Sequence, residues 1–254
     1  LKPPSRREIR DLMVMLSGID YNESLPQTDD SFLKIWSDHY RRIVHLIPEN
    51  VPARVLEIGV GYGMLSLLLK RHYPFDVTAT EHPSRGYLQS AEFMGLLKRE
   101  GIHVIEHDLN YPLPFTGGSF DMVFCCDVIE HLPAVIVQKS LNEIRRVTKK
   151  NGYLVLSTPN LARLPNRLRF LVGKGINPPL NPVKAGDTYD HIREFTCDEI
   201  EGLLQGRFRV LRKEYGLISF FNRRFNFLNS LLFLLYSGFG DETYILAQAV
   251  NDSG

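Results

Sequence analysis

From Pro52 onward, short apolar runs rich in β-branched residues alternate with longer stretches of helical period. The runs cover 54–58, 76–80, 102–106, 120–126 and 153–157 and predict strands; the stretches 63–72, 85–100 and 134–149 predict helices. In the last of these, Val135, Leu141, Ile144 and Val147 supply much of an apolar stripe. Strands apolar on both faces and separated by helices belong to a parallel sheet covered on both sides, so the expected fold class is α/β. Two more strand candidates, 208–215 and 243–250, close the chain.

Residues 1–50 read as helical in two parts, broken at Pro26 and Asp29-Asp30, and form an expected N-terminal helical cap ahead of a domain at 51–254. Two segments interrupt the rhythm of that domain. Residues 160–195 carry Pro165, Pro178, Pro179 and Pro182 with little periodicity, which predicts an irregular insertion. Residues 217–240 are a second insertion, rich in Phe and Leu. At 254 residues, with 44% hydrophobic and 23% charged, the chain can bury one sizeable core. A formal charge of +1 offers no global attraction for nucleic acid, which is not expected as a partner. Cys125, Cys126 and Cys197 form no even disulfide framework, and no charged-then-apolar leader opens the sequence. The longest apolar stretch, 225–236, is interrupted by Asn226, Asn229 and Ser230 and falls short of the roughly 20 residues of a spanning helix. These features predict a cytoplasmic protein.

The first strand ends in the turn Glu57-Ile58-Gly59-Val60-Gly61-Tyr62-Gly63 and passes into a helix. Glycines permit positive φ and let a ligand approach the backbone, while the helix start offers free N–H groups. Glu81 ends the second strand 22 positions after Gly59, near the spacing at which an acid meets ribose hydroxyls. Asp108 ends the third strand region, where a carboxylate can accept from an adenine amino group. The dinucleotide fingerprint needs a third glycine at position 64, which is Met64 here; the extra glycine stands at 63.

At this point the sequence resembles the class I S-adenosylmethionine-dependent methyltransferases, whose first motif of hydrophobic-Glu-x-Gly-x-Gly-x-Gly is matched from Val55 to Gly63. The resemblance is strong over about 53–160. It implies a Rossmann-like seven-stranded sheet, mostly parallel with an antiparallel C-terminal strand, and helices on both faces. It implies S-adenosyl-L-methionine as cofactor and S-adenosyl-L-homocysteine as product. Glu57, Gly59, Gly61 and Gly63 would then carry the methionine end, Glu81 the ribose hydroxyls, and His82, Asp108 and Leu109 would surround the adenine. The run 120–132 matches the fourth-strand motif in an Asp127-x-x-Glu130-His131 form.

Asp127 and His131 are the candidate catalytic residues: Asp127 is expected at the carboxyl end of the fourth strand, where it also meets the cofactor, and His131 is a candidate base toward an acceptor hydroxyl. Asp127, Glu130, His131 and His191 also make a candidate divalent-metal set, because 190–196 looks like the corresponding stretch of small-RNA 2′-O-methyltransferases. The leading expectation is O-methylation of a small, glycosylated or lipid-linked metabolite. A metal-dependent RNA 2′-O-methyltransferase and a non-catalytic cofactor-binding partner protein are the alternatives. Trp36, His39 and Tyr40 are placed to close over the cofactor, or to pack in the core. Arg163, Arg167, Arg169, Lys174 and Lys184 give the first insertion a basic character, and the second carries Phe220, Phe221, Phe225, Phe227, Phe233 and Phe239. Its expected roles are an apolar pocket, a dimer face, a lid or peripheral membrane contact beside Arg223 and Arg224. The oligomeric state is left open.

Overall fold

The computed structural model describes residues 3–22, 29–49, 54–175, 191–217, 233 and 236–250. Seven strands form one sheet: β1 Arg54–Ile58, β2 Asp76–Glu81, β3 His103–Glu106, β4 Phe120–Cys126, β5 Thr148–Pro159, β6 Phe208–Gly216 and β7 Glu242–Ala249. Their order is β3-β2-β1-β4-β5-β7-β6, parallel throughout except that β7 runs antiparallel to both β5 and β6. The expected mixed sheet is therefore present. The helices among the described residues are α1 Arg6–Ser17, α2 Asp30–His45, α3 Met64–His72, α4 Ala91–Arg99, α5 Ala134–Val147, α6 Leu164–Leu171 and α7 Cys197–Leu204.

The pleat explains why helices cover both faces. Alternate strand residues Val55, Val77, Met122, Phe124 and Val155 turn to one side, into a core completed by α1, α2, α3 and α4. Their neighbours Leu56, Ile58, Val123, Leu154 and Leu156 turn to the other, into a core completed by α5 and α7. No helix among the described residues is long and apolar enough to cross a membrane.

Several elements depart from the periodicity. The predicted helix at 85–100 is a 3-10 turn, Gly86–Gln89, followed by α4, because the Ser90 side chain accepts from the Phe93 N–H and starts the helix afresh. β3 stops at Glu106, so Asp108 stands two residues beyond the strand in the following loop. β5 begins at Thr148, earlier than predicted, by pairing with Phe120 before a register shift. The first insertion is not irregular throughout: it holds α6, where Pro165 occupies the first turn, the position at which its missing N–H costs nothing. Pro178, Pro179, Pro182 and Lys184 lie outside the described residues, as do Phe220, Phe221, Arg223, Arg224, Phe225 and Phe227 of the second insertion.

Candidate active site

In this strand order the sheet is built outward in one direction from β1 and in the other from β4, and the crevice outside the carboxyl ends of such a parallel pair is where open α/β sheets bind ligands. The glycine turn leaves β1 there, and Asp127–His131 leaves β4 there. A cavity of about 620 Å³ lies at this point, within the roughly 300–1,000 Å³ usual for small-molecule sites.

Gly59, Gly61 and Gly63 all have positive φ, at 80°, 50° and 77°. They do different work. A Cβ on Gly59 would stand 2.9 Å from Val128 Cγ2, and one on Gly63 would stand 2.9 Å from Phe93 Cε2, so both permit close packing. A Cβ on Gly61 would meet nothing within 4 Å, although Gly61 lines the cavity. Gly63 caps α3 with no side chain; in the first turn the Ser66 N–H is taken by Glu57, while Met64 and Leu65 have no side-chain cap. These features fit a nucleoside cofactor with a polar tail.

The cavity brings Glu57, Gly59, Gly61, Glu81, His82, Asp108, Leu109, Asp127 and His131 together on its walls. Gly63 shapes the turn from behind. Glu81 is buried; its Oε2 accepts from the Gly61 N–H at 2.9 Å and the Tyr87 hydroxyl at 2.6 Å, while Oε1 accepts from the His82 N–H. The remaining lone pairs are what a ribose would meet. Asp108 Oδ1 accepts from the backbone and side chain of Asn110, which holds its carboxyl below the usual range against a weak opposing effect of burial.

Glu57 is also buried, with the Ser66 hydroxyl of α3 on its Oε2. Burial pushes its pKa up to about 8, although the Ser66 bonds work in the other direction. A carboxyl raised in the fold stabilises fully below its unfolded value and loses that contribution as pH rises through the folded one. Stability is thus expected to decline with pH up to about 8, and Glu57→Gln to flatten that decline. Thermal melts of both proteins across this interval check it; parallel slopes would contradict the assignment.

Asp127 has φ of 55°, which turns its carboxylate away from the strand. His39 Nε2 lies 3.0 Å from Oδ2, and the Ser157 hydroxyl donates to Oδ1 at 2.8 Å. Burial works to raise its pKa, but the His39 imidazole and these bonds outweigh it and hold the carboxyl at about 2. His39 Nδ1 is 2.9 Å from the Tyr244 hydroxyl, so one buried imidazole of α2 links β4 to β7. Trp36, His39 and Tyr40 line the cavity, and the Trp36 and Tyr40 rings also pack against the core.

Glu130 is fully buried, and the Thr158 hydroxyl donates to its Oε2 at 3.0 Å. Burial, reinforced by the Asp127 charge, holds its carboxyl well above the usual range. Its Oε1 has no hydrogen-bond partner and lies 4.0 Å from His131 Nε2. The rings of His131 and His191 meet edge to face at 5.0 Å. Potential ligand atoms of Glu130, His131 and His191 all lie within 4.8 Å of one another. Asp127 is not part of this group, being bound to His39 and Ser157. The candidate metal set therefore reduces to three residues among those described.

Sequence reasoning missed the supports. Ser157 and Thr158 stand at the carboxyl end of β5, and the register places Ser157 beside Cys126, so a polar pair ending that strand was the available signal. Tyr87 carried none, and Glu194 stood only as part of the 190–196 stretch, with no role of its own. Arg163 of the basic set is committed to Glu194 at 2.8 Å, and Glu194 in turn lies 3.6 Å from His191 Nδ1.

A methyltransferase domain family matches residues 56–156. A demethylmenaquinone methyltransferase of Thermotoga maritima is 28% identical over 180 residues, covering 69% of this chain and 75% of that protein. A bifunctional methionine biosynthesis protein of Rhodopirellula baltica is 32% identical over 122 residues, but this spans 47% of the chain and only 18% of the relative's length. The PH0226 protein of Pyrococcus horikoshii shares the fold, with a TM-score of 0.61 at 16% identity over 95% of this chain and 98% of that one. Residues 56–156 therefore carry a methyltransferase domain of the class I S-adenosyl-L-methionine-dependent kind, with S-adenosyl-L-methionine as methyl donor.

Proposed function

We propose that this protein methylates a hydroxyl of a small, glycosylated or lipid-linked acceptor, with His131 removing the proton. The observation that carries this reading is that His131 and Asp127 line the same cavity as the glycine turn. The cofactor supplies an electrophilic methyl group on a sulfonium. What the chain must supply is alignment of the acceptor and a place for its proton. His131 Nε2 lies 4.0 Å from Glu130 Oε1, so its ring sits beside a polar group rather than an apolar wall. Asp127 keeps its negative charge beside the site and is fixed by His39 and Ser157. In this reading residues 1–50 cap the cavity through Trp36, His39 and Tyr40. The demethylmenaquinone acceptor of the Thermotoga relative supports a lipid-linked class. Methyl transfer from labelled donor to a panel of hydroxylated and lipid-linked acceptors tests it; transfer to amines alone would overturn it.

The convergence of Glu130, His131 and His191 favours a second reading, in which these three residues would hold a divalent cation that would supply Lewis-acid polarisation of the acceptor oxygen. The orphaned Oε1 of Glu130 and two imidazoles are a suitable donor set. It predicts that exhaustive chelation and His191→Ala each abolish turnover, and that a divalent ion restores the chelated enzyme. Full activity after chelation, with no ion found by elemental analysis, excludes it.

A further inference from the structure

Helix α6 is built inside out. Its buried residue is Asn166, whose Nδ2 donates to the Leu161 carbonyl at 2.9 Å and approaches Glu194 Oε2 at 3.4 Å. Arg163, just before the helix, is turned inward on the same glutamate. The outward side is apolar: Leu168 is 54% exposed, Phe170 54%, Leu171 81% and Val172 68%. Positions 168, 171 and 172 share one face by helical spacing. A soluble surface rarely concentrates three large apolar side chains on one short helix, and a fourth at its C-cap, without a partner to cover them.

The charges around this face select the partner. From 160 to 175 the chain holds Arg163, Arg167, Arg169 and Lys174 and no acid. Arg163 is neutralised by Glu194, while the other three alternate with the apolar residues along the chain; among the described residues Arg167 and Arg169 donate only to the Ala162 and Gly175 carbonyls and face no acid there. Arg167 also lies over the rings of Tyr236 and Phe239, at 5.7 and 5.3 Å, and Tyr236 is itself half exposed. Cations beside exposed leucines, phenylalanine and tyrosine match an interface of anionic headgroups and acyl chains. A nucleic-acid surface would use the cations and leave the leucines in water.

We infer that α6 docks this protein on an anionic membrane surface through Leu168, Phe170, Leu171 and Val172, with Arg167, Arg169 and Lys174 meeting the headgroups. The helix begins at Leu164, directly beyond the carboxyl end of β5 and hence at the edge of the sheet that carries the cavity. Docking there presents the active-site edge to a lipid-borne acceptor. Only this use of docking rests on the proposed acceptor class; the binding itself does not.

Co-sedimentation with phosphatidylcholine vesicles, with and without phosphatidylglycerol, tests the inference without an activity readout. The wild type is expected to pellet with phosphatidylglycerol vesicles and not with phosphatidylcholine alone. The double variant Leu168→Ser/Leu171→Ser should lower partitioning by about tenfold or more. Val135→Ser, which removes an exposed apolar side chain from α5, should change nothing. A wild type that stays in the supernatant, or a double variant that pellets equally, overturns the proposal. So does equal binding to both vesicle types. A wild-type dimer in light scattering that the double variant converts to monomer, with no vesicle binding, would assign the face to self-association instead.

Discussion

Replacing His131 with Gln is expected to lower kcat by about 10²–10⁴ while leaving the Kd for S-adenosyl-L-methionine unchanged. Gln keeps the size and polarity of the side chain and removes only its capacity to accept a full proton at neutral pH. The position suits the test, because His131 lines the cavity from the β4 side whereas cofactor contacts expected at Glu57, Gly61 and Glu81 come from β1 and β2. Single-turnover kinetics with saturating cofactor isolate the chemical step. If kcat holds and KM rises, His131 merely positions the acceptor. The metal-assisted reading also predicts a large loss, but adds an equal loss on His191→Ala, so the pair of variants separates a free base from a ligand.

Gly61→Ala should weaken cofactor binding at least about tenfold, close to 1.4 kcal/mol, with a folded and nearly undiminished protein. At φ of 50° an alanine costs roughly 1–2 kcal/mol of backbone strain, which at this chain length lowers Tm by a few degrees. Its Cβ meets no protein atom within 4 Å, so nothing in the core must move. The added methyl instead narrows the space in which the cofactor approaches the backbone. Gly63→Ala offers the contrast: its Cβ would press on Phe93 at 2.9 Å and Leu97 at 3.1 Å, and the cost should fall on stability. Calorimetric titration beside thermal melts resolves the two. Equal affinity in Gly61→Ala would mean that the turn does not touch the ligand.

Much of this was legible because a parallel sheet writes its own pattern. β4 is apolar on both faces, β1 nearly so, and β2 is rich in β-branched residues, so their runs stand out within a residue of the observed ends. The glycine turn was legible for a different reason: positive φ at three alternate positions leaves few choices of residue. Contacts across long sequence separations were not. His39 reaches Tyr244 over 205 positions, and no local periodicity reports that. The same limit explains the candidate metal set. Spacing joined Asp127 to Glu130 and His131, but its left-handed backbone sends the carboxylate to His39 and Ser157 instead. α6 was hidden by Pro165 and by an apolar face that points outward, the reverse of what a search for a core-facing stripe detects.

In the proposed reading, the cavity between β1 and β4 takes a sulfonium nucleoside. Titration of the protein with S-adenosyl-L-homocysteine, and separately with a nicotinamide dinucleotide, tests it most directly. The expected result is one-to-one binding of S-adenosyl-L-homocysteine, weakened by Gly61→Ala, and no heat from the dinucleotide. Saturable binding of the dinucleotide, with none of S-adenosyl-L-homocysteine, would contradict the account.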